Sequence, residues 1–349
     1  MKKYCFLLGF GLLLIGCTEQ EVQSEAAVDK PAEKVAVNVS EPAKCNDVAL
    51  ENAVRQLVQG KMAERNCDRG LVYVVETRTG HIKANISLER TGTAFTPWKD
   101  TYTKEQSTTL GGATYLALLS TGKISSDDVI DTEYGIYKDV RDHNWMKGGF
   151  GPITLEQALG YRSLVAFAKA KDSVFADRTA EYDHKVSRYL AGQPNSSMGI
   201  LAFYNAVANG GRMLKLVNEG NSVTVLDEQI EDRKYIEELQ RGLNNAVSIG
   251  FYKKAGRPYT CVAAAGRTFK TTGKTWRMEL CGYFPADNPM YTIMVVMEKD
   301  RLPAAAGSIC GPIMAGTIDL VVDRYNLRSK VEDVERQPQS VVVEVDTIG

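Results

Sequence analysis

One stretch decides the fold of this chain: residues 266–296, GRTFKTTGKTWRMELCGYFPADNPMYTIMVV. Apolar and polar residues alternate over residues 276–282, which is the period of a half-buried strand. Turn-forming residues flank this segment at 272–273 and 284–289, and residues 291–296 form a β-branched apolar run typical of a central strand. The stretch therefore predicts three consecutive antiparallel strands. Apolar residues on one face then predict a helix over residues 310–324.

The same residues carry a family resemblance. The segments LCGYFPADNP (residues 280–289) and YTIMVV (residues 291–296), followed by Gly307-Ser308 and Gly311-Pro312, resemble the closing strands and last helix of the transpeptidase domain of class B penicillin-binding proteins, within the superfamily that includes the serine β-lactamases. The resemblance covers about residues 46–326. It implies an α/β (α+β) fold in which helices flank a central antiparallel sheet of about five strands.

In that family a Ser-x-x-Lys motif opens a buried helix and supplies the nucleophile and its base. Here the corresponding segment is EQSTTLGG, residues 105–112. Alignment back from Gly122 without a gap places Thr108 at the serine and Gly111 at the lysine; one inserted residue places Ser107 and Leu110 there instead. Neither register supplies a lysine, and loss of a general base typically slows a reaction by about 10²–10⁴-fold.

The second family motif, Ser-x-Asn, corresponds to Arg162-Ser163-Leu164. Only the middle serine is a family-like residue, because Arg162 replaces the proton-relaying serine. Leu164 replaces the amide side chain and cannot form a hydrogen bond.

The third motif, Lys-Thr-Gly, corresponds to Arg267-Thr268-Phe269. Arg267 keeps a positive charge, so the resemblance implies that Arg267 meets a substrate carboxylate and that Arg267 and Thr268 bind substrate. Phe269 replaces a glycine that lets substrate lie against the strand. We expect its side chain to fill that groove or to force a different strand register.

Changes at all three motifs predict a catalytically silent transpeptidase-like protein that acts as a binding or scaffolding module in peptidoglycan synthesis. The alternative is an active D,D-transpeptidase with displaced residues, for which Ser107, Thr108 and Ser163 are the candidate nucleophiles. A third hypothesis is a receptor that holds a peptide or muropeptide non-covalently, with Arg267 on its carboxylate; a peptidoglycan stem peptide is one such partner. Other cell-wall synthesis proteins are the further partners expected.

The N-terminus predicts export and lipidation. Lys2-Lys3 and the apolar residues 4–15 are typical of a secretory signal, and LIGC at residues 14–17 matches a lipoprotein processing box. The mature chain is then expected to begin at a lipidated Cys17 that binds it to a bacterial membrane, outside the cytoplasm and on the periplasmic side. The predicted organisation is a signal peptide at 1–16, a disordered tether at 17–45, a transpeptidase-like domain at 46–327 and a flexible tail at 328–349.

The composition narrows the remaining function classes. The 349 residues have a formal net charge of −1 with interspersed acidic and basic side chains, which argues against nucleic-acid binding. No Cys/His set has metal-ligand spacing, so neither a metal nor a cofactor is expected. Five cysteines follow Cys17, so at least one is a free thiol or pairs with another chain. Cys45 and Cys67 flank a predicted helix and lie too far apart to pair. A disulfide between Cys261 and Cys281 across the predicted hairpin stays open, as does the pairing of Cys310.

Overall fold

A computed structural model describes residues 43–100, 111–193, 196–271, 273–300 and 304–328. Its α-helices, in chain order, are α1 (Val48–Arg65), α2 (Gly111–Leu119), α3 (Leu155–Tyr161), α4 (Leu164–Phe175), α5 (Thr179–Tyr189), α6 (Ser197–Ala208), α7 (Arg233–Ser248) and α8 (Ala306–Arg324). Its strands are β1 (Arg69–Glu76), β2 (His81–Thr91), β3 (Ala94–Pro97), β4 (Val129–Asp131), β5 (Ile136–Tyr137), β6 (Val140–Arg141), β7 (Pro152–Thr154), β8 (Met213–Leu214), β9 (Val225–Asp227), β10 (Ala263–Lys270), β11 (Thr275–Phe284) and β12 (Tyr291–Asp300). Short 3₁₀ turns occur at Trp145–Lys147 and Lys253–Ala255.

The central sheet has six strands in the order β10-β11-β12-β1-β2-β3, and every neighbouring pair is antiparallel. This confirms the predicted fold class, with six strands where about five were expected. The quoted stretch forms β10, β11 and β12, and Gly273 has the positive φ of 68° that a tight strand reversal requires. Strand β10 lies at one edge of the sheet.

Helices cover both faces of the sheet. Helices α1 and α8 pack against each other and against one face, while α6 packs on β11 and β12 from the opposite face, and α2 and α7 contact β10. Helix α2 is buried along all but its first residue, as expected for the family's nucleophile helix. Among the described residues, α8 alone is long and apolar enough to cross a bilayer, and two-thirds of it is buried within this domain, as in a core helix.

Local signals account for several element boundaries. Asp47 caps α1 by accepting hydrogen bonds from the N–H groups of Ala49 and Leu50. Thr154 and Gln157 form the capping box that starts α3, as their spacing predicts. Helix α8 begins at Ala306, four residues before the predicted start, because the Thr268 hydroxyl on β10 accepts a hydrogen bond from the Ala306 N–H.

The Cys261–Cys281 bridge left open by the sequence is not formed. Cys281 is a buried free thiol that lies opposite Ala265 on β10, whereas Cys261 precedes that strand. Cys45, Cys67 and Cys310 are also free thiols.

Several predictions lie outside the described residues: the signal peptide, Cys17, most of the tether and the C-terminal tail. Ser107, Thr108 and Leu110 lie outside them as well, whereas Gly111 is the first residue of α2.

Candidate functional site

The second motif lies where α3 ends and α4 begins. Arg162 caps the C-terminus of α3 in the left-handed region at φ 55°, and Ser163 is the N-cap of α4. The Ser163 hydroxyl is buried; it donates to Asp142 Oδ2 at 2.8 Å and accepts from the Ala166 N–H at 3.0 Å. Both bonds are internal to the domain, so the one family-like serine of this motif serves as a helix cap.

Asp142 ties the loop after β6 to α4. Its second carboxylate oxygen accepts the Val165 N–H at 3.1 Å, next to the bond from Ser163. Burial raises the pKa of Asp142, and these hydrogen bonds oppose that rise. Sequence reasoning missed Asp142, because its partners lie more than twenty residues further along the chain.

The third motif divides between the two faces of β10. Thr268 points toward α8, where its hydroxyl donates to the Ala304 carbonyl at 3.2 Å and accepts from the Ala306 N–H at 3.0 Å. Thr268 therefore joins β10 to the start of α8. Its predicted role in substrate binding stays a prediction.

Arg267 and Phe269 lie on the opposite face of β10, and both are buried. Arg267 Nε donates to Glu279 Oε2 at 2.6 Å, and its guanidinium lies 4.8 Å from the centroid of the Phe269 ring. Phe269 pairs opposite Arg277 in a ladder that has no register shift between β10 and β11. The substrate role predicted for Arg267 stays a prediction. In the structure its guanidinium has a buried carboxylate partner, Glu279.

A buried ionic network extends from Arg267 across the sheet. Arg277 is 1% exposed and contacts the carboxylates of Glu279 at 2.6 Å, Glu298 at 2.9 Å and Asp100 at 2.9 Å. Glu298 also meets Arg69 at 3.2 Å. The network thus follows cross-strand pairs over β10, β11, β12 and β1; its members are Arg69, Asp100, Arg267, Arg277, Glu279 and Glu298.

The network is visible in the sequence as charged residues inside apolar strands. Buried charged residues lie on one face of three largely apolar strands, at Arg267 on β10, at Arg277 and Glu279 on β11 and at Glu298 on β12, which is unusual inside a sheet unless the charges are paired. Burial alone would raise the pKa of Glu279, but the guanidiniums of Arg267 and Arg277 together lower it below its ordinary value of 4.5.

Lowering the pH should reduce the free energy of unfolding through protonation of Glu279. A lowered pKa means that its carboxylate contributes stability above its ordinary pKa, and that this contribution disappears as the pH falls through the lowered value. We expect the free energy of unfolding to fall more steeply between about pH 5 and 3 in the parent than in Glu279→Gln, by up to about 1.4 kcal/mol per pH unit. Urea titrations at several pH values measure this slope. Equal slopes would contradict the prediction, and Glu228→Gln, at an exposed pair with Arg212, is the matched control.

Two side chains occupy the outer edge of β10. The Tyr252 hydroxyl donates to the Gly266 carbonyl at 2.6 Å, and Arg162 Nη1 donates to the Thr268 carbonyl at 3.4 Å. These carbonyls are the ones that a further strand would need for pairing. The edge is therefore capped by the chain's own residues, and one of them belongs to the second motif.

A cavity of about 520 Å³ lies beside this edge and brings the second and third motifs together. Arg162 and Leu164 line it, together with Thr268 and the first residues of α8. The remaining lining residues come mainly from the loop after β6 and from the segment after α7; the full set is Arg141, Asp142, His143, Trp145, Arg162, Leu164, Phe251, Tyr252, Thr268, Trp276, Ala304, Ala305, Ala306 and Gly307.

Aromatic rings form one wall of the cavity. His143 packs edge-on against Phe251 at 4.8 Å and against Phe150 at 5.4 Å between ring centroids. Burial lowers the pKa of His143, and the nearby Arg162 guanidinium lowers it further, which favours the neutral imidazole. Within the described ranges no cluster of three or more His, Cys, Asp or Glu side chains could hold a metal ion.

Comparisons with known proteins agree with this architecture. No match was found among curated proteins. A peptidoglycan glycosyltransferase from Burkholderia ambifaria superposes with a TM-score of 0.66 at 15% identity, over 82% of this chain and 98% of that one. The transpeptidase domain of Burkholderia pseudomallei penicillin-binding protein 3 gives 0.65 at 14% identity, over 82% and 97%. The transpeptidase domain of the FtsI4 D,D-transpeptidase from Legionella pneumophila gives 0.57 at 15% identity, over 81% and 100%.

At these identities the solved structures show the shared fold alone. The family is shown by sequence: the model of the penicillin-binding-protein transpeptidase domain matches residues 70–319, which is most of the chain. The match spans the sheet, helix α2 and both described motif positions. This chain therefore belongs to the penicillin-binding-protein transpeptidase domain family.

Proposed function

We propose that this protein is a lipid-anchored, catalytically inactive transpeptidase-like module that binds or scaffolds components of peptidoglycan synthesis in the cell envelope. The observation that carries the proposal is the buried Ser163 hydroxyl, whose two hydrogen bonds both serve the cap of α4. A serine held in this way donates its proton to Asp142 and not to a substrate, and it is buried.

The described part of the site also provides no lysine that could act as the base in acyl transfer. A serine or threonine hydroxyl needs a neighbouring group that accepts its proton. None of the residues that line the cavity is a lysine. His143, the one imidazole among them, lies against aromatic rings, and no hydrogen bond to a hydroxyl is formed by it among the described residues.

The start of α2 supports the same proposal. In the gapless alignment Gly111 takes the place of the family lysine. A Cβ atom at Gly111 would lie 3.4 Å from Leu159 and 3.5 Å from Phe167. The described atoms nearest to this Cβ position are apolar, and glycine itself supplies no amine that could accept the proton of a nucleophile.

The anchoring part of the proposal rests on the LIGC box at residues 14–17. Two or more acyl chains on Cys17 would hold the domain stably at a membrane. Metabolic labelling with a fatty-acid analogue should mark the parent protein and not Cys17→Ala. Equal labelling of both would exclude this anchor.

A labelled penicillin tests the catalytic part. We expect intact-mass spectrometry of the protein to show no covalent adduct after hours of incubation, while an active D,D-transpeptidase in the same buffer is fully acylated. A missing base slows acylation by about 10²–10⁴-fold, so the long incubation is needed. A stable penicilloyl ester on Ser107, Thr108 or Ser163, located by peptide mapping, would overturn the proposal in favour of an active transpeptidase.

A further inference from the structure

Among the described residues that line the cavity beside β10, two are arginines and one is acidic. Arg141 and Arg162 both line it, and no salt bridge to either is present among the residues that the structure describes. The one acidic lining residue, Asp142, directs its two oxygens to Ser163 and Val165. An anionic group that enters the cavity would therefore meet guanidinium donors, and the one carboxylate among the described lining residues already accepts hydrogen bonds from Ser163 and Val165.

Each guanidinium has a contact that orients it, and contacts with the described residues leave most of its N–H donors unused. Arg141 lies 5.0 Å from the centroid of the Trp145 ring, and Arg162 uses one nitrogen on the Thr268 carbonyl. Each guanidinium carries five N–H donors in a planar fork that matches a carboxylate.

The rest of the cavity suits an apolar side chain. Its walls include the rings of Trp145, Phe251 and Trp276. A volume of about 520 Å³ is much larger than a methyl group needs and lies within the range of about 300–1,000 Å³ typical of ligand pockets.

The outer edge of β10 restricts how a peptide could enter. Tyr252 and Arg162 already bond the Gly266 and Thr268 carbonyls, so a ligand cannot pair along this strand without displacing them. Entry by the end of a peptide requires no such displacement.

We propose that this cavity binds, without covalent reaction, the free C-terminus of a protein whose last residue is large and apolar. The terminal carboxylate meets Arg141 and Arg162, and the last side chain lies against Trp145, Phe251 and Trp276. This inference rests on the proposed function, because it names the partner chemistry of the binding module. It differs from recognition of a stem peptide, whose terminal side chains are methyl groups.

Tryptophan fluorescence of the intact protein provides the readout, since two of its three tryptophans line the cavity. The probes are the peptide Gly-Ser-Gly-Ala-Leu-Phe with a free carboxylate, the same peptide with a C-terminal amide, and a stem-type peptide ending in D-Ala-D-Ala. We expect saturable binding of the free acid, with affinity at least about tenfold weaker for the amide, because a charge-assisted hydrogen bond is lost.

Two variants and a matched control locate the site. Arg141→Gln should weaken binding of the free acid about tenfold or more, and Phe251→Ala should weaken the acid and the amide alike. Both residues are substantially exposed, so the variants should fold. Arg233→Gln, at a residue with an 83% exposed side chain on α7 outside the cavity, should leave binding unchanged.

Three results would overturn the inference: no saturable binding of the free acid, equal affinity for acid and amide, or tighter binding of the D-Ala-D-Ala peptide. The penicillin experiment tests a different proposal. A penicilloyl ester would contradict the proposed catalytic inactivity, whether or not the peptides bind. A fluorescence titration without a change, in a protein that forms no ester, would contradict only the proposed binding of a protein C-terminus.

Discussion

Arg277→Met should lower the free energy of unfolding by about 3–5 kcal/mol, because it leaves buried carboxylates without their shared cation. The Arg277 side chain is 1% exposed and contacts Asp100, Glu279 and Glu298. The substitution keeps an unbranched side chain of similar length, so the loss reports the missing charge more than a cavity. Urea or guanidinium unfolding at pH 7, followed by far-ultraviolet circular dichroism, measures it.

Two further variants interpret that result. Arg277→Lys keeps the charge but cannot hold all the carboxylates at once, so we expect an intermediate loss. Arg212→Met removes one partner of an exposed pair with Glu228, and this change should cost less than about 1 kcal/mol. If Arg277→Met also costs less than about 1 kcal/mol, the network does not stabilise the sheet as described.

Gly266→Ala should destabilise the protein by about 3 kcal/mol, at the upper end of the usual cost of overpacking. A Cβ atom at this position would lie 2.1 Å from the backbone carbonyl oxygen of Glu279 on β11. That contact is too short for any real side chain, so β10 would have to move away from its neighbour. Thermal and urea unfolding measure the change, and the displaced strand should also alter the cavity that Thr268 borders.

Gly60→Ala is the matched control, with an effect of opposite sign. Gly60 is an exposed residue inside α1, and nothing lies within 4 Å of its added Cβ. Alanine should stabilise the protein there by about 0.5–1 kcal/mol, because it favours the helix over the unfolded chain. A loss at Gly266 no larger than the error on this control would contradict the close approach of the two strands.

Most of the sheet could be predicted from local patterns, and the exceptions have local causes. Alternation and turn chemistry predicted β10, β11 and β12, and the Thr79-Gly80 turn joins β1 to β2. Strand β3 has no strong alternation: its four residues Ala94–Pro97 are largely exposed, and pairing with the end of β2 forms it. Short edge strands of this kind depend on their neighbour more than on their own sequence.

The sequence predicted which residues belong to the site but not which groups their side chains contact. The resemblance placed Arg162, Ser163, Leu164, Thr268 and Gly111 in the region of the cleft, but it did not reveal what their side chains contact. The partner of Ser163 is Asp142, 21 residues earlier in the chain. Thr268 bonds residues that lie more than thirty positions later. No local pattern encodes pairings over such separations.

The sequence by itself determined two things about this family member. Its hydrophobic pattern specified the strands of the sheet, and its motif positions lack the family's lysines, asparagine and glycine. Only the tertiary structure decided what the replacements do. Cross-strand pairing buries Arg267 beside Glu279, and helix packing gives the hydroxyls of Ser163 and Thr268 capping roles. The physical reason is that periodicity reports which face of an element is buried, whereas a hydrogen bond or ion pair depends on which distant group packs against that face.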